Sequence, residues 1–326
     1  MGARTVALGP GGEFDLIRRF LLGAGDDSPE VVVGSGDDAA VLHGGWVVST
    51  DLSVEDVHFR RAWLRDEEVG FRAAAAALSD LAAMAATPVG VLVSMAFPEG
   101  GRWDLERVQA GVREAAAEVG TSVIGGDLSR SPGPLVLDVT VVGHAPSPAL
   151  RVGAAAGDEV WVTGSLGASA AAVKAWEAGQ EPAPALRAAF ARPTPRIAAA
   201  AILARHGALH ALVDLSDGLA GDAGHLAAAG ASSVVLELGR IPVAPAARAA
   251  LGDRDAMDAA LHGGEDYELC FAAPPGAVTT AVAEAVGLTL TRVGHVEEGD
   301  GVWLEDATGG RVRPDRGGFD HTGAAE

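Results

Sequence analysis

The stretch ALVDLSDGLAGDAGHLAAAGASSVVLEL, residues 211–238, contains the pattern that decides the fold class. Its apolar start at 211–214 predicts a strand, and the β-branched run at 234–238 predicts a second one. Between them, the alanine-rich run at 219–229 predicts a helix, because alanine has the highest helix propensity. A strand, a helix and a strand in direct succession are typical of α/β proteins.

The same mixture of elements extends outward in both directions. In the second half, we predict further strands at 159–163, 268–273, 289–293 and 302–305, and helices at 168–177, 195–206 and 277–286. In the first half, we predict strands at 39–43, 46–50, 89–96 and 135–143, and helices at 66–86 and 104–119. The segment 144–157 has two prolines and mostly short side chains, as linkers do. We therefore predict a mixed α/β protein of two domains, 1–148 and 149–326.

The acidic balance of the chain restricts its partners. The formal net charge is −20, which argues against nucleic acid, since phosphate backbones require basic surface. An acidic protein binds a nucleotide phosphate only if a cation intervenes, and Mg²⁺ prefers carboxylate and phosphate oxygens. The longest uncharged stretch, 81–98, contains Thr87, Pro88 and Gly90, so no membrane span is expected. No basic region followed by an apolar one starts the sequence, and we expect a cytoplasmic protein.

Six short segments place acidic residues beside glycine or at strand ends. They are GSGDDAA at 34–40, STD at 49–51, SDLAAM at 79–84, GGD at 125–127, DLSDGL at 214–219 and GGEDYE at 263–268. Each has an ordinary structural explanation: Asp217, for example, suits a helix N-cap. Asp80 is harder to explain, because a carboxylate in an apolar helix is costly unless it is paired or metal-bound. Together the segments indicate a site for hard cations.

Two further observations bear on the chemistry. The sequence has no G-x-x-x-x-G-K-[ST] phosphate loop, and its one lysine, Lys174, does not follow a glycine-rich loop. Any phosphoryl transfer would therefore depend on metal ions to offset charge. The one cysteine, Cys270, lies in an apolar run and is expected to be a buried small hydrophobe.

The six segments, in this order, resemble the thiamine-monophosphate kinase family. That family belongs to the superfamily of aminoimidazole ribonucleotide synthetase and selenophosphate synthetase. The resemblance implies a two-domain fold in which the N-terminal sheet pairs across a homodimer and an α/β domain follows. It also implies ATP and several Mg²⁺ ions in a cleft between the domains. One departure is Ser35, which stands where an aliphatic residue is expected.

The resemblance also implies roles for individual residues. The Mg²⁺ ligands it implies are Asp37, Ser49, Thr50, Asp51, Asp80, Asp127, Asp214 and Asp217. The ATP contacts it implies are Gly126, Asp127, Arg151 and Ser216. The contacts to thiamine monophosphate are His58, Glu265 and Phe319. It leaves the roles of Asp38, Asp266 and Glu268 open.

The implied activity is ATP-dependent phosphorylation of thiamine monophosphate to thiamine diphosphate. The acceptor oxygen already carries charge, so no residue is expected to act as a general base. One alternative is another ATP-dependent activity of the superfamily, such as selenophosphate synthesis. The chain lacks the N-terminal cysteine that this activity uses. A second alternative is a non-catalytic relative that binds nucleotide and metal.

Overall fold

The computed structural model describes residues 5–7, 9, 12–21, 28–100 and 102–316. Its helices are α1 Gly12–Leu21, α2 Asp66–Ala83, α3 Leu105–Glu118, α4 Ala168–Glu177, α5 Pro184–Ala191, α6 Ile197–Arg205, α7 Leu219–Gly230, α8 Pro245–His262 and α9 Thr280–Val286. A short 3₁₀ turn covers Leu238–Arg240. Within the described ranges, no helix is both long and apolar enough to cross a bilayer.

The strands form two separate sheets. The first contains β1 Val31–Val33, β2 Ala40–Leu42, β3 Trp46–Val54, β4 Thr87–Pro98, β5 Val123–Ser131 and β6 Val136–His144, in the order β1-β2-β3-β6-β4-β5. The second contains β7 Glu159–Thr163, β8 Ala211–Asp214, β9 Ser233–Glu237, β10 Leu269–Ala273, β11 Leu290–Glu297, β12 Gly301–Glu305 and β13 Arg311–Val312, in the order β13-β12-β9-β11-β7-β10-β8. Only β4–β5 and β9–β12 are parallel among the pairs in the described residues.

Helix α2 lies at the junction of the two halves. It packs on α3 and on β3 and β6 of the first sheet, and on α5, α6 and β8 of the second half. Small residues allow this close packing: a Cβ atom added at Gly70 would lie 1.9 Å from the carbonyl oxygen of Val108, and one at Gly111 would lie 1.8 Å from that of Glu67. Because α2 is covered on nearly all sides, any ionisable group on it must be paired or must face a cavity.

The mixed α/β class with two sheets is confirmed, and several elements match their predicted bounds. The strands at 159–163 and 211–214 and the helix at 168–177 coincide with the prediction. The strands of the first sheet end at His144 and those of the second begin at Glu159, on either side of the boundary at 148/149, which stays a prediction. The sequence analysis missed α1, α5, α8, β1, β5 and β13.

Candidate functional site

A cavity of about 580 Å³ opens between the two halves of the molecule. Arg72, Ala76 and Asp80 of α2 line one side of it, since residues four apart follow one face of a helix. The second half contributes Asp214 and Glu265 to the opposite side. The predicted residues Asp51, His58, Ser216 and Asp217 also line this cavity, and Thr50 borders it although its side chain bonds to Asp138 on the other face of the sheet. The structure therefore brings together most of the residues that the sequence singled out.

Three carboxylates meet beside this cavity, which Asp80 and Asp214 line and next to which Asp38 is buried. Asp38 comes just before β2, Asp80 lies near the end of α2, and Asp214 ends β8. One oxygen from each carboxylate lies within 4.8 Å of the others. Two unit charges at that distance repel by about 3.5 kcal/mol at an effective dielectric constant of 20. The cluster thus concentrates negative charge where the two halves of the chain join.

The repulsion is visible in the ionisation of these groups. Burial and the neighbouring Asp214 and Asp51 raise the pKa of Asp80 well above its usual range. Burial and the nearby Asp38 raise the pKa of Asp214 to about 7. In each case the low-dielectric surroundings and the like charges disfavour the ionised form. A bound cation would reverse both effects, so the donor set fits a divalent metal ion.

Asp38, not Asp37, is the member of the GDD segment that joins the cluster. Its Oδ1 pairs with Arg151 Nη2, whereas its Oδ2 is buried without a hydrogen-bond partner among the described residues. Asp37 instead accepts hydrogen bonds from the backbone N–H of Arg151 (3.1 Å) and of Asp38 (3.0 Å). An unpartnered carboxylate oxygen beside two other carboxylates is what a metal-binding site needs. The geometry therefore favours Asp38 as a ligand, and the role of Asp37 stays a prediction.

Arg151 stabilises the carboxylate cluster through its ion pair with Asp38. Although burial lowers the pKa of Arg151, the Asp38 carboxylate outweighs burial and raises the pKa above its ordinary value. Its side chain is only 13% exposed and it is not among the residues that line the cavity. The structure thus places the predicted ATP contact against Asp38.

The STD segment divides between the two faces of the first sheet. Ser49 Oγ donates to Asp80 Oδ2 at 2.6 Å on the face toward α2, and Asp51 lines the cavity. Thr50 Oγ1 donates to Asp138 at 2.5 Å on the opposite, solvent-exposed face. Successive side chains of a strand point to opposite faces, so three consecutive residues cannot share one site.

The GGD segment is the part of the predicted site that lies farthest away. Gly126 and Asp127 are in the middle of the edge strand β5, and Asp127 is level with Ser94 of β4. Two more strand positions separate β4 from β3. At about 4.8 Å per strand, Asp127 is about 14 Å from Leu52. Its side chain shares the outer face with Thr50 and Asp138, so within one protomer it does not join the cluster.

The DLSDGL segment forms the turn between β8 and α7. Gly218 is the N-cap of α7, with a φ of 109° that favours glycine. The Asp222 carboxylate accepts the N–H groups of Asp217 (3.2 Å) and Gly218 (3.1 Å), and so takes the capping role suggested for Asp217. Asp217, Asp222 and His225 also offer ligand atoms within 4.8 Å of one another. Burial lowers the pKa of His225 to about 3, so its imidazole is neutral.

Two of the three predicted acceptor contacts lie in the described residues. His58 accepts the backbone N–H of Val54 at Nδ1 (3.0 Å), which leaves the proton of the neutral ring on Nε2. Glu265 forms an ion pair with Arg72. The third predicted contact, Phe319, lies outside the described residues. His58 and Glu265 face the same cavity from different halves of the chain.

The two remaining acids of the GGEDYE segment anchor the fold. Asp266 accepts the backbone N–H of Gly167 at 2.9 Å at the start of α4. Glu268 accepts from Arg196 Nε at 2.8 Å and from Thr163 Oγ1 at 2.6 Å. Both residues line a second cavity together with Arg196, and their contacts hold the loop that carries Glu265. The roles of Asp266 and Glu268, which the sequence left open, are therefore structural.

Asp266 makes the stability of the protein sensitive to pH. Burial raises its pKa to about 8, so the folded protein keeps a proton that the unfolded chain loses near pH 4. A raised carboxyl pKa makes the unfolding free energy fall as pH rises, here between about 4 and 8. Between pH 5 and pH 8, the unfolding free energy of the wild type should therefore fall more than that of Asp266→Asn. We expect the two decreases to differ by on the order of a few kcal/mol. Urea unfolding at the two pH values measures this difference. Asp300→Asn is the exposed control, and an identical pH dependence in wild type and Asp266→Asn would contradict the prediction.

Three site residues were missed by the sequence analysis. They are Arg72, Asp222 and His225. Arg72 could have been found by the same criterion as Asp80, because it is a charged residue inside the alanine-rich helix. It comes eight residues before Asp80 and lies on the same side of that helix. Asp222 carried a weaker one, a carboxylate in the first turn of a helix. No signal in the sequence marked His225.

Comparison with known proteins agrees with this geometry. Residues 36–145 match the family model "AIR synthase related protein, N-terminal domain", and residues 155–306 match its C-terminal domain. A thiamine-monophosphate kinase of Rhodopirellula baltica is 35% identical, over 93% of this chain and 95% of its own. A thiamine-monophosphate kinase of Methanopyrus kandleri is also 35% identical, over 90% of this chain and 92% of the length of that protein. A solved structure described as AaThiL complexed with AMPPCP and TMP is similar with a TM-score of 0.82 and 31% identity, covering 95% of this chain and 97% of that chain.

Proposed function

This chain belongs to the thiamine-monophosphate kinase family, within the AIR synthase related proteins, and on that basis we propose that it transfers the γ-phosphoryl group of ATP to the phosphate of thiamine monophosphate. The products are thiamine diphosphate and ADP. The observation that carries the proposal is the cluster of Asp38, Asp80 and Asp214 beside a cavity between the two halves. Such a cluster suits a reaction between two anions in a protein without a phosphate-binding lysine loop.

We propose that Asp38, Asp80, Asp214 and Asp51 hold Mg²⁺ in this site. When bound, Mg²⁺ supplies the positive charge that offsets repulsion between the two phosphate groups. Ser49 orients Asp80 through its 2.6 Å hydrogen bond, and Arg151 orients Asp38. Asp217 lines the same cavity and completes the set of acidic ligands. The chain thus contributes preorganised carboxylates and needs no general base.

The donor and the acceptor occupy adjacent parts of the cavity in this proposal. Ser216 precedes the N-terminus of α7, where the N–H groups of the first helical turn favour the phosphates of ATP. His58 and Glu265, which bonds to Ser216 through its backbone, contact thiamine monophosphate beside it. Phe319 follows the cavity residue Arg316 by three positions, a reach of about 10 Å, and stays a predicted contact. Because ATP is a cytoplasmic nucleotide, we propose that the protein acts in the cytoplasm.

A direct assay tests this function. The protein is incubated with ATP, MgCl₂ and thiamine monophosphate, and thiamine diphosphate and ADP are separated by chromatography. Equal amounts of the two products are the expected result. ATP binding in calorimetry without any thiamine diphosphate would instead support the non-catalytic alternative.

The two aspartates of the GDD segment are expected to differ in effect. Asp38→Asn removes a carboxylate from the cluster, so we expect turnover to fall by about a hundredfold or more. Asp37→Asn keeps an acceptor for the Arg151 N–H and should lower turnover by less than about tenfold. Steady-state kinetics at saturating Mg²⁺ measures both. Equal losses in the two variants would contradict the assignment of Asp38 as the ligand.

We also propose that the protein is a homodimer that pairs through the outer face of the first sheet. Trp46 (44% exposed) and Leu52 (54% exposed) are large apolar side chains on that face. A second copy covering it would explain Asp127, because its carboxylate lies on the covered face and would serve a site shared between subunits. Analytical ultracentrifugation of wild type and Trp46→Glu tests this. A monomeric wild type at micromolar concentration would reject the dimer.

A further inference from the structure

Arg72 is a buried cation in a cavity that is otherwise mostly acidic. Its side chain is 5% exposed, whereas the cavity-lining Lys174 and Arg316 are 42% and 60% exposed and both contact Asp258. Removing a guanidinium from water is costly unless its donors are used. A buried arginine at the wall of a cavity is therefore held there by specific contacts, and those contacts indicate its role.

Three contacts fix the plane of the Arg72 guanidinium. Nη1 donates to the carbonyl oxygen of Phe190 at 2.7 Å, and the guanidinium carbon lies 3.8 Å from the centre of the Phe190 ring. Nη2 forms the ion pair with Glu265 Oε2. Arginine can stack and donate at the same time because its charged group is planar. The lysine ammonium is not planar and cannot stack on Phe190 while it donates to Glu265, so this arrangement requires arginine.

Glu265 needs this support because its backbone is unfavourable. Its φ is 64° and that of Tyr267 is 50°, in the left-handed region that favours glycine. Backbone hydrogen bonds from Glu265 N to Ser216 O (2.7 Å) and from Tyr267 N to Leu215 O (2.8 Å) hold the loop against the turn that precedes α7. Strained positions of this kind persist only when neighbouring groups determine them, and they concentrate at functional sites.

We infer that Arg72 is a positioning residue that holds the Glu265 carboxylate in place for the acceptor. This inference rests on the proposed function, in which Glu265 contacts thiamine monophosphate. The acceptor combines a cationic thiazolium ring with a phosphate, and a carboxylate fixed in one orientation attracts the ring without approaching the phosphate. The bond from Glu265 to Ser216 is made by the backbone and does not involve the Arg72 side chain, so we expect ATP binding to change little when Arg72 is replaced.

Kinetics with both substrates varied separately tests the role. We expect Arg72→Lys to raise the KM for thiamine monophosphate about tenfold, equivalent to about 1.4 kcal/mol, and to leave the KM for ATP within about twofold. Glu265→Gln should show the same selectivity. The double variant Arg72→Met/Glu265→Gln should lose less than the product of the separate effects of Arg72→Met and Glu265→Gln, because the two side chains act as a pair. Arg205→Met, at an exposed position of α6, is the matched control.

The outcomes separate this inference from the proposed function. Calorimetry of thiamine monophosphate binding measures the acceptor affinity even in the absence of turnover. Binding without thiamine diphosphate formation rejects the kinase activity, while a tenfold weaker Kd in Arg72→Lys still supports the role of Arg72. Equal changes for ATP and acceptor, or no change in either, overturn it. If Arg72→Met does not fold, Arg72→Lys and Glu265→Gln decide the question by the same selectivity.

Discussion

Replacing Asp80 by asparagine is expected to lower kcat by about a thousandfold or more, which corresponds to about 4 kcal/mol of transition-state stabilisation. Asp80 lies within 4.8 Å of Asp38 and Asp214 and receives the hydroxyl of Ser49, so it is the centre of the cluster. Asparagine keeps the shape of the side chain but loses the charge that attracts a divalent cation. Steady-state kinetics with saturating ATP, Mg²⁺ and thiamine monophosphate measures the loss.

The same substitution is expected to stabilise the metal-free protein. The raised pKa of Asp80 shows that its ionised form is unfavourable in the folded state, because of burial and of like charges nearby. Asp80→Asn removes that repulsion, so its Tm without metal should exceed that of the wild type by a few degrees. Asp253→Asn, at an exposed position, is the control for removal of one negative charge. An unfolded Asp80→Asn variant, or one with normal turnover, would contradict the role of Asp80.

Removal of divalent cations is expected to abolish turnover completely. The buried cluster contains no lysine, and its arginine, Arg151, is already paired with Asp38. The cations that line the cavity are also engaged: Arg72 pairs with Glu265, and Lys174 and Arg316 contact Asp258, while Arg60 stacks on Trp63. We therefore expect none of them to replace a metal ion in offsetting the repulsion between two phosphate groups. Activity should disappear in excess EDTA and return when Mg²⁺ is added beyond the chelator.

Thermal unfolding tests the predicted metal site independently of turnover. Mg²⁺ should raise the Tm of the wild type, because a ligand that binds only the folded state stabilises it. It should raise that of Asp80→Asn much less. EDTA already saturated with Mg²⁺ serves as the control for effects of the chelator itself. Full activity in excess free EDTA would refute the metal site.

The sequence was sufficient where a feature depends on neighbouring residues. Apolar periodicity predicted the strands at 159–163 and 211–214 and the helix at 168–177. It failed for α8, because this helix contains Gly252 and buries mainly small alanines, and so lacks an apolar stripe. It failed for β5 as well, since two glycines, which are unfavourable inside strands, lie within this edge strand.

The candidate site shows the same division. Local composition singled out the segments that contain Asp51, Asp80, Asp214 and Glu265, and the resemblance to the kinase family implied the role of each residue. The choice between Asp37 and Asp38 required the path of the turn, because adjacent side chains point in different directions. The separation of Asp127 from Asp80 required the strand order, and the pairing of Arg72 with Glu265 joins residues far apart in the chain. The sequence by itself determines interactions between residues that are close along the chain. The distances between side chains that are remote in sequence are set only when the two sheets pack around α2.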